Sequence, residues 1–460
     1  MIKLFNRYLP SKLFMFIAVD AMCILALTTI ALSFALGNDA AHSAKLLLLV
    51  SGASAIWIGA FYFCDLYDLD ATRKTADVLA QSIRAVGMGA IVIAPIAWFF
   101  LPSTARSGYL EAALLLSFFL LCAYRSGFTW ISSHLFSGER VLLVGSGPVI
   151  QALAHRISVY SCLPLKLVAV VPEDENSRYE NRTFHTCGSI ADLDSITASF
   201  RPHRIAIDLA PRREPIPASQ LIRLRQKGIR IEDASSLYEA MTGSVPIEFL
   251  DARRLAFGKG LSLSPLSAAA HRVMDVVLSS LGLLVMWPVF IAIAVALKLD
   301  SHGPIIYSQE RVGLNGKVFR TLKFRSMRID AETLSGPVWA SERDPRITRV
   351  GRILRKVRLD ELPQLWNVLR GDMSMVGPRP ERPHFVDLLR EHIPFYELRH
   401  SVRPGITGWA QVCATYGSSI EESQVKVEYD LFYLKNISFA FDAFILFKTA
   451  KICIFGRGSR

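Results

Sequence analysis

At 460 residues the chain has room for two or three domains, and 51% of it is hydrophobic against 20% charged. That balance argues against an ordinary soluble protein and for several membrane segments. The net charge of +12 favours anionic partners such as phospholipid headgroups or nucleotides. Nucleic acid is disfavoured, because no zinc finger, helix-turn-helix or aromatic RNA-binding motif is present. The seven cysteines are scattered and never spaced CxxC, so neither a disulfide framework nor a zinc site is supported.

Four apolar runs open the chain, roughly Leu13–Leu36, Leu46–Phe63, Val86–Leu101 and Leu110–Ala123. Each is near the length that spans about 30 Å of hydrocarbon. The first is too long for a cleaved signal peptide and lacks a small-x-small site. Lys3, Arg7 and Lys12 precede it, Arg73, Lys74 and Arg84 follow the second, and Arg125 and Arg140 follow the fourth. The opposite loops hold only Lys45 and Arg106, which places both ends of a four-helix unit, residues 1–137, in the cytoplasm. Asp20, costly in lipid, is expected to face a neighbouring helix.

A composition change at Gly138 opens an α/β segment, residues 138–262. Glu139–Ile157 reads as strand, glycine turn and helix. Leu165–Val171, Arg204–Ala210 and Gly228–Glu232 read as further short strands of an open, Rossmann-like sheet. The turn Gly145-Ser146-Gly147 is half of a dinucleotide fingerprint, with Pro148 next and no third glycine. Such a turn suits a phosphate and equally any tight strand-to-helix connection.

Residues 263–300 are by length a membrane helix, with about 22 apolar residues over Val276–Leu297. Pro288 near the middle removes a backbone donor, and Arg272 and Lys298 flank both ends. A re-entrant hairpin, broken at Pro288 and returning to the same face, reconciles length, proline and charge. A kinked fifth span is the alternative.

Residues 301–460 carry the chemistry. Short β-like runs turn at Gly313 and Asn315-Gly316. An arginine-rich helical stretch, Ile347–Val368, contains the adjacent carboxylates Asp360 and Glu361, preceded by Arg349, Arg352, Arg355, Lys356 and Arg358. Acids beside guanidinium groups suit phosphate chemistry with a metal ion, and equally a solvated, salt-bridged helix. The rigid Gly377-Pro378-Arg379-Pro380 turn, which fixes Arg379 a short distance on, favours the chemical reading. The apolar tail Asn436–Phe455, interrupted by Asp442, Lys448 and Lys451, reads as an interfacial amphipathic helix.

Lys323–Met327 (KFRSM), Asp344–Pro380, Val402–Val412 (VRPGITGWAQV) and Tyr429–Asp442 resemble the bacterial polyprenyl-phosphate sugar-1-phosphate transferases, monotopic phosphoglycosyl transferases. The four spans, the Rossmann-like insert and the re-entrant segment resemble the long form of that family. The resemblance implies a membrane helical bundle, a Rossmann-like domain and a monotopic α/β catalytic domain, multi-pass in the bacterial inner membrane with the catalytic domain cytoplasmic. It implies transfer of sugar-1-phosphate from a UDP-sugar to undecaprenyl phosphate, releasing UMP, at the first membrane step of exopolysaccharide or O-antigen repeat synthesis.

In that reaction Asp360 is the nucleophile that forms an aspartyl phosphosugar, and Glu361 handles a proton or helps bind Mg2+. Asp360 and Glu361 are the metal candidates. Arg355 and Arg379 would hold phosphoryl oxygens, with Lys323, Arg325 and Arg403 as further anion-binding candidates. Asp430 is a candidate metal or supporting residue, or a structural cap. Membrane lipid is a partner, and the long form implies a homodimer. One departure is Trp287-Pro288 where members often carry Ser-Pro.

Two other functions fit parts of the pattern. A membrane-bound NAD-dependent nucleotide-sugar dehydratase or epimerase also joins four spans to a Rossmann domain, but it needs a full glycine fingerprint and a Tyr-x-x-x-Lys pair. Tyr8 and Lys12 have that spacing only ahead of the first span. A non-enzymatic scaffold of polysaccharide assembly would not require the intact Asp360-Glu361 and PRP residues.

Overall fold

The computed structural model describes residues 2–9, 11–36, 43–67, 75–100, 119, 123–124, 127, 138–159, 165–172, 186–208, 218–250, 264–328, 346–414 and 419–455. The chain divides into two compact units, one of Met1–Leu4 with Tyr8–Leu237, the other of Phe5–Arg7 with Tyr238–Arg460.

A two-stranded sheet opens the chain, β1 (Ile2–Leu4) and β2 (Arg7–Leu9). Three apolar helices follow at Ser11–Leu36, Ser43–Phe63 and Thr75–Phe100. The window Leu13–Ile30 is long and apolar enough to cross a membrane. Val50–Phe63 and Leu79–Ile93 are shorter apolar stretches. Small residues let these helices approach: a side chain at Gly89 would collide with the Trp57 ring, and Thr28 Oγ1 lies 3.3 Å from Ser54 Oγ. Asp20 is buried. The fourth apolar run lies almost wholly outside the described residues.

The α/β part of this unit is a four-stranded parallel sheet in the order β4-β3-β5-β6, from β3 (Glu139–Val144), β4 (Leu165–Val171), β5 (Arg204–Ile207) and β6 (Arg230–Asp233). The two central strands carry buried apolar runs, Val141–Val144 and Ile205–Ile207, as expected where both faces are covered. Arg204, 1% exposed, crosses their edge to reach Glu139 at 3.0 Å and Glu232 at 2.6 Å.

In the second unit, one helix, Pro265–Asp300, runs for 36 residues, roughly 54 Å if straight. Ser264 caps its start by accepting from Ser267 N, with Pro265 at the first helical position. The helix is uninterrupted through Pro288, so the expected break into two helices is not seen. The missing N–H falls in the stretch Leu284–Pro288, exposed on every side, while residues before and after it are held by packing. Gly282 lies against Leu365, and Phe290 stacks edge-on to Phe324 with centroids 5.2 Å apart.

Both ends of this helix are tied to the same unit. Near its start, Arg272 donates to the carbonyls of Val368 and Leu369, both at 2.7 Å. Asp275 Oδ1 accepts from Ser374 Oγ and from Met375 N at 2.9 and 2.8 Å. Near its end, Asp300 Oδ2 accepts from Val350 N at 3.2 Å, and Ile293 and Leu297 are buried with Phe324 and Leu354. The opposite face exposes Val273, Val277, Leu281, Leu284, Trp287, Ile291, Val295 and Leu299 at helical spacing.

The rest of the unit supports this helix. An antiparallel hairpin joins β7 (Ile306–Val312) to β8 (Val318–Phe324), turning at Asn315 in the left-handed region. A short parallel pair joins β9 (Ser374–Val376) to β10 (Gly405–Thr407). Helices at Ile420–Asn436 and Phe439–Phe455 bury Trp409, Phe432 and Phe441 in the main core. Asp442, read from sequence as a polar interruption of an interfacial helix, is fully buried and accepts from Tyr433 Oη at 2.9 Å. Residues 238–250 belong with this unit: Trp409 Nε1 donates to Gly243 O at 2.8 Å, and Lys435 pairs with Glu239 at 2.7 Å.

Candidate active site

The basic helix Arg349–Lys356 starts at Thr348, whose side chain accepts from Gly351 N at 3.0 Å. Gly351 admits the close approach of the Ser326 carbonyl, which any side chain there would strike. After this helix Arg358 takes a left-handed conformation (φ 56°, ψ 22°), unusual for a residue with a side chain. It redirects the chain into a 3-10 turn, Leu359–Glu361, so that Asp360 and Glu361 sit on a bend. Leu359 and Leu362 pack against the cluster of Ile293, Leu297, Phe324 and Leu354, as do Val289 and Phe290 of the long helix.

The two acids have different surroundings. Glu361 Oε1 accepts from Arg379 Nη2 at 2.7 Å and from Lys323 Nζ at 3.1 Å. Burial pushes its carboxyl up, but Arg379 and Lys323, with Arg358 behind them, hold it well below the usual carboxylate range. Asp360, equally buried at 8% exposure, accepts no hydrogen bond among the described residues. Burial raises its pKa and neighbouring Glu361 adds to this, while Lys323, Arg355 and Arg379 oppose. Glu361 is thus a fixed counter-ion for two cations, and Asp360 a carboxylate with unengaged oxygens.

Lys323, Arg379, Arg355, Asp360 and Glu361 therefore come together. Lys323 is delivered by β8, whose outer edge is pinned by Asn367: Leu322 N donates to its Oδ1 at 2.9 Å, and its Nδ2 donates to Arg320 O at 2.8 Å. Arg355, half-buried in the last turn of the basic helix, has no internal side-chain partner among the described residues. Its charge acts on Asp360.

Arg325 is not part of this cluster. It is 5% exposed, and its guanidinium donates to Ser301 O at 2.8 Å, His302 O at 2.7 Å and Ser301 Oγ at 3.0 Å, closing the end of the long helix. Arg403 donates to Gly371 O at 3.1 Å, where Gly371 (φ 98°) ends the helix Gln364–Arg370. That contact is structural, and among the described residues Arg403 makes none to either acid. Asp430 is ion-paired with Arg399 at 2.9 Å, and among the described residues it belongs to no group of three or more acids, His or Cys that could hold a metal. Sequence reading missed Asn367 and Arg399, whose targets are backbone groups distant in the chain.

Among the described residues no group of three or more His, Cys, Asp or Glu side chains gathers to cage a metal. Mg2+ is commonly held by one or two carboxylates together with substrate phosphates. The unengaged oxygens of Asp360 and the second oxygen of Glu361 fit that smaller role. At the glycine turn of the α/β sheet, the absent side chain of Gly147 makes room for the buried Asp208 carboxylate. A carboxylate there opposes a cofactor phosphate and favours the structural reading of Gly145-Ser146-Gly147.

A family model described as bacterial sugar transferase matches residues 266–456, the long helix and everything described after it. The chain is 42% identical over 240 residues to a UDP-N-acetylgalactosamine-undecaprenyl-phosphate N-acetylgalactosaminephosphotransferase of Aeromonas hydrophila, covering 52% of this chain and 56% of that one. It is 45% identical over 189 residues to the UDP-glucose:undecaprenyl-phosphate glucose-1-phosphate transferase of Escherichia coli (strain K12), covering 41% and 40%. To the exopolysaccharide production protein PSS of Rhizobium leguminosarum bv. phaseoli it is 42% identical over 186 residues, 39% of this chain and 92% of that one. The match thus spans about half of the first two relatives and nearly all of the third. With the acid pair, its cationic clamp and the long helix all inside the matched region, the chain belongs to the bacterial sugar transferase family.

Proposed function

We propose that the protein transfers sugar-1-phosphate from a UDP-sugar to undecaprenyl phosphate, the reaction class carried in the names of its relatives. The observation that carries the reading is the asymmetry of the acid pair, one carboxylate clamped by two cations and the other unengaged. An Asp360 oxygen attacks the β-phosphorus of the UDP-sugar. The bond from that phosphorus to the bridging oxygen breaks, and UMP leaves with the electron pair. The sugar phosphate is then held on Asp360 as an acyl phosphate. A phosphate oxygen of undecaprenyl phosphate next attacks the same phosphorus and Asp360 departs as a carboxylate.

Lys323, Arg379 and Arg355 offset the charge gathered as an anionic nucleophile meets an anionic diphosphate. Arg379 and Lys323 already face Glu361, so they are pre-aimed at no cost of reorganisation during reaction. Bound Mg2+ would neutralise the diphosphate further, held by Asp360 and Glu361. The long helix supports a membrane site without a crossing: its apolar face is open to lipid while both its ends are held by one catalytic unit. It engages the bilayer from one face, which we assign to the cytoplasmic side of the inner membrane, where nucleotide sugars are found.

The test is incubation of the purified full chain with radiolabelled UDP-sugar and Mg2+, first without lipid acceptor. UMP release with label retained on protein, absent in Asp360→Asn, is the expected result. Full transfer to undecaprenyl phosphate by Asp360→Asn would overturn the nucleophile assignment. A panel of UDP-sugars in the same assay identifies the donor.

A further inference from the structure

The PRP turn poses a mechanical problem. Pro378 and Pro380 supply no N–H, so the turn cannot fasten itself by its own hydrogen bonds. Its four successive carbonyls are instead each taken by an outside donor. Pro378 O accepts from Gly405 N at 3.0 Å, and Glu381 O from Val312 N at 2.9 Å. Between them, Pro380 O accepts from Arg311 Nη1 at 3.0 Å and Arg379 O from Arg399 Nη2 at 2.9 Å.

Two guanidinium groups are thus turned onto neutral carbonyls, Arg311 half-buried and Arg399 buried. Arg399 is the more costly, at 6% exposure, because the charge must be withdrawn from water. It is held from two other sides: Nη1 donates to Tyr396 Oη at 2.8 Å, and Nη2 lies 2.9 Å from Asp430 Oδ2. Tyr396 lies in Arg399's own 3-10 segment, Tyr396–Ser401, and Asp430 in the helix Ile420–Asn436, so a neighbour one turn back and a separate element together aim one side chain at one carbonyl. That carbonyl belongs to Arg379, whose own side chain reaches Glu361. Apolar side chains could fill the same volume more cheaply, which points to a geometric demand rather than a stabilising one.

We propose that Arg399, oriented by Asp430 and Tyr396, is a positioning residue that fixes the backbone of Arg379 and thereby where its guanidinium meets the substrate diphosphate. The inference rests on the assignment of Arg379 as a phosphate-binding residue. Arg399 touches neither acid of the pair and acts only through the turn. A misplacement of about 1 Å at such a group can cost roughly a hundredfold in rate.

The experiment is a double-mutant cycle on the full chain in detergent, with Arg399→Lys and Arg379→Ala singly and together, measuring kcat and KM for UMP release. Arg399→Lys is expected to lower kcat roughly 10–100-fold with KM for the UDP-sugar changed less than about 3-fold. In the Arg379→Ala background it is expected to cost nothing more. A full, additive loss in that background would overturn the proposal, since Arg399 would then act independently of Arg379. Arg379→Ala with unaltered kinetics would instead overturn the phosphate-binding assignment, a separate failure visible in one single mutant. Should Arg399→Lys not fold, Tyr396→Phe removes one hydroxyl from the same network and carries the same cycle, with the same two outcomes deciding it.

Discussion

Replacing the two adjacent acids one at a time should give stability changes of opposite sign. In Glu361→Gln, the carboxylate facing Arg379 at 2.7 Å and Lys323 at 3.1 Å becomes neutral. At an effective dielectric of about 20, each attraction is roughly 5 kcal/mol before desolvation. Removing one partner of such a buried cluster leaves two cations facing each other, at a net cost of about 3–5 kcal/mol. The carboxyl is held below its unfolded value, so this stabilisation is complete above the unfolded pKa and is lost only as pH falls through the folded one. At pH 7 it is present in full.

Asp360 is the reverse case. Its folded pKa is raised, so its ionisation opposes folding, and that penalty grows as pH rises through the folded pKa. Asp360→Asn removes the penalty. Thermal unfolding of the purified full chain at pH 7 reads both. For a unit of this size about 2–4 °C follows each kcal/mol, so Glu361→Gln should lose roughly 6–20 °C while Asp360→Asn loses nothing or gains. Equal losses in the two variants would refute the division into a structural counter-ion and an unengaged nucleophile.

Because Asp360 must be ionised to attack, kcat/KM should fall as pH drops through its raised pKa. Arg355→Gln should move that acidic limb to higher pH, because Arg355 is one of the charges lowering the pKa; a pH–rate profile of both proteins measures it. Gly351→Ala should lower the unfolding midpoint by the equivalent of about 1–3 kcal/mol, since the added methyl meets the Ser326 carbonyl. Asn367→Leu should cost about 1–3 kcal/mol by leaving Leu322 N and Arg320 O without partners, and hydrogen exchange at Leu322 should quicken.

The composition of the cluster was readable in the sequence because charge and rigidity are local properties. Arginines beside paired acids and a proline-framed Arg379 need no fold to be noticed. Their partners were harder to assign. Lys323 and Arg325 are two residues apart, which on a continuing strand would place them on one face. The strand ends at Phe324, so the alternation no longer governs Arg325, and it turns to the end of the long helix. Arg403 and Arg399 share the same basic chemistry, yet each serves a carbonyl that only tertiary folding brings near. At Pro288 a local rule predicts a break into two helices, whereas the helix Pro265–Asp300 runs through it.

The long helix also acts as a gauge block. Asp275 fits β9, Gly282 fits Leu365, and Val289 and Phe290 join the Phe324 and Leu354 cluster that Leu359 and Leu362 also join beside the acids, all from one continuous helix. One residue added or removed between Asp275 and Val289 would rotate one set of fittings by about 100° and slide it about 1.5 Å against the other. Its exposed residues can drift freely among apolar types, but the count between those fittings cannot. The spacing of that segment, more than its composition, is what sets where Asp360 sits relative to the exposed apolar face of the helix.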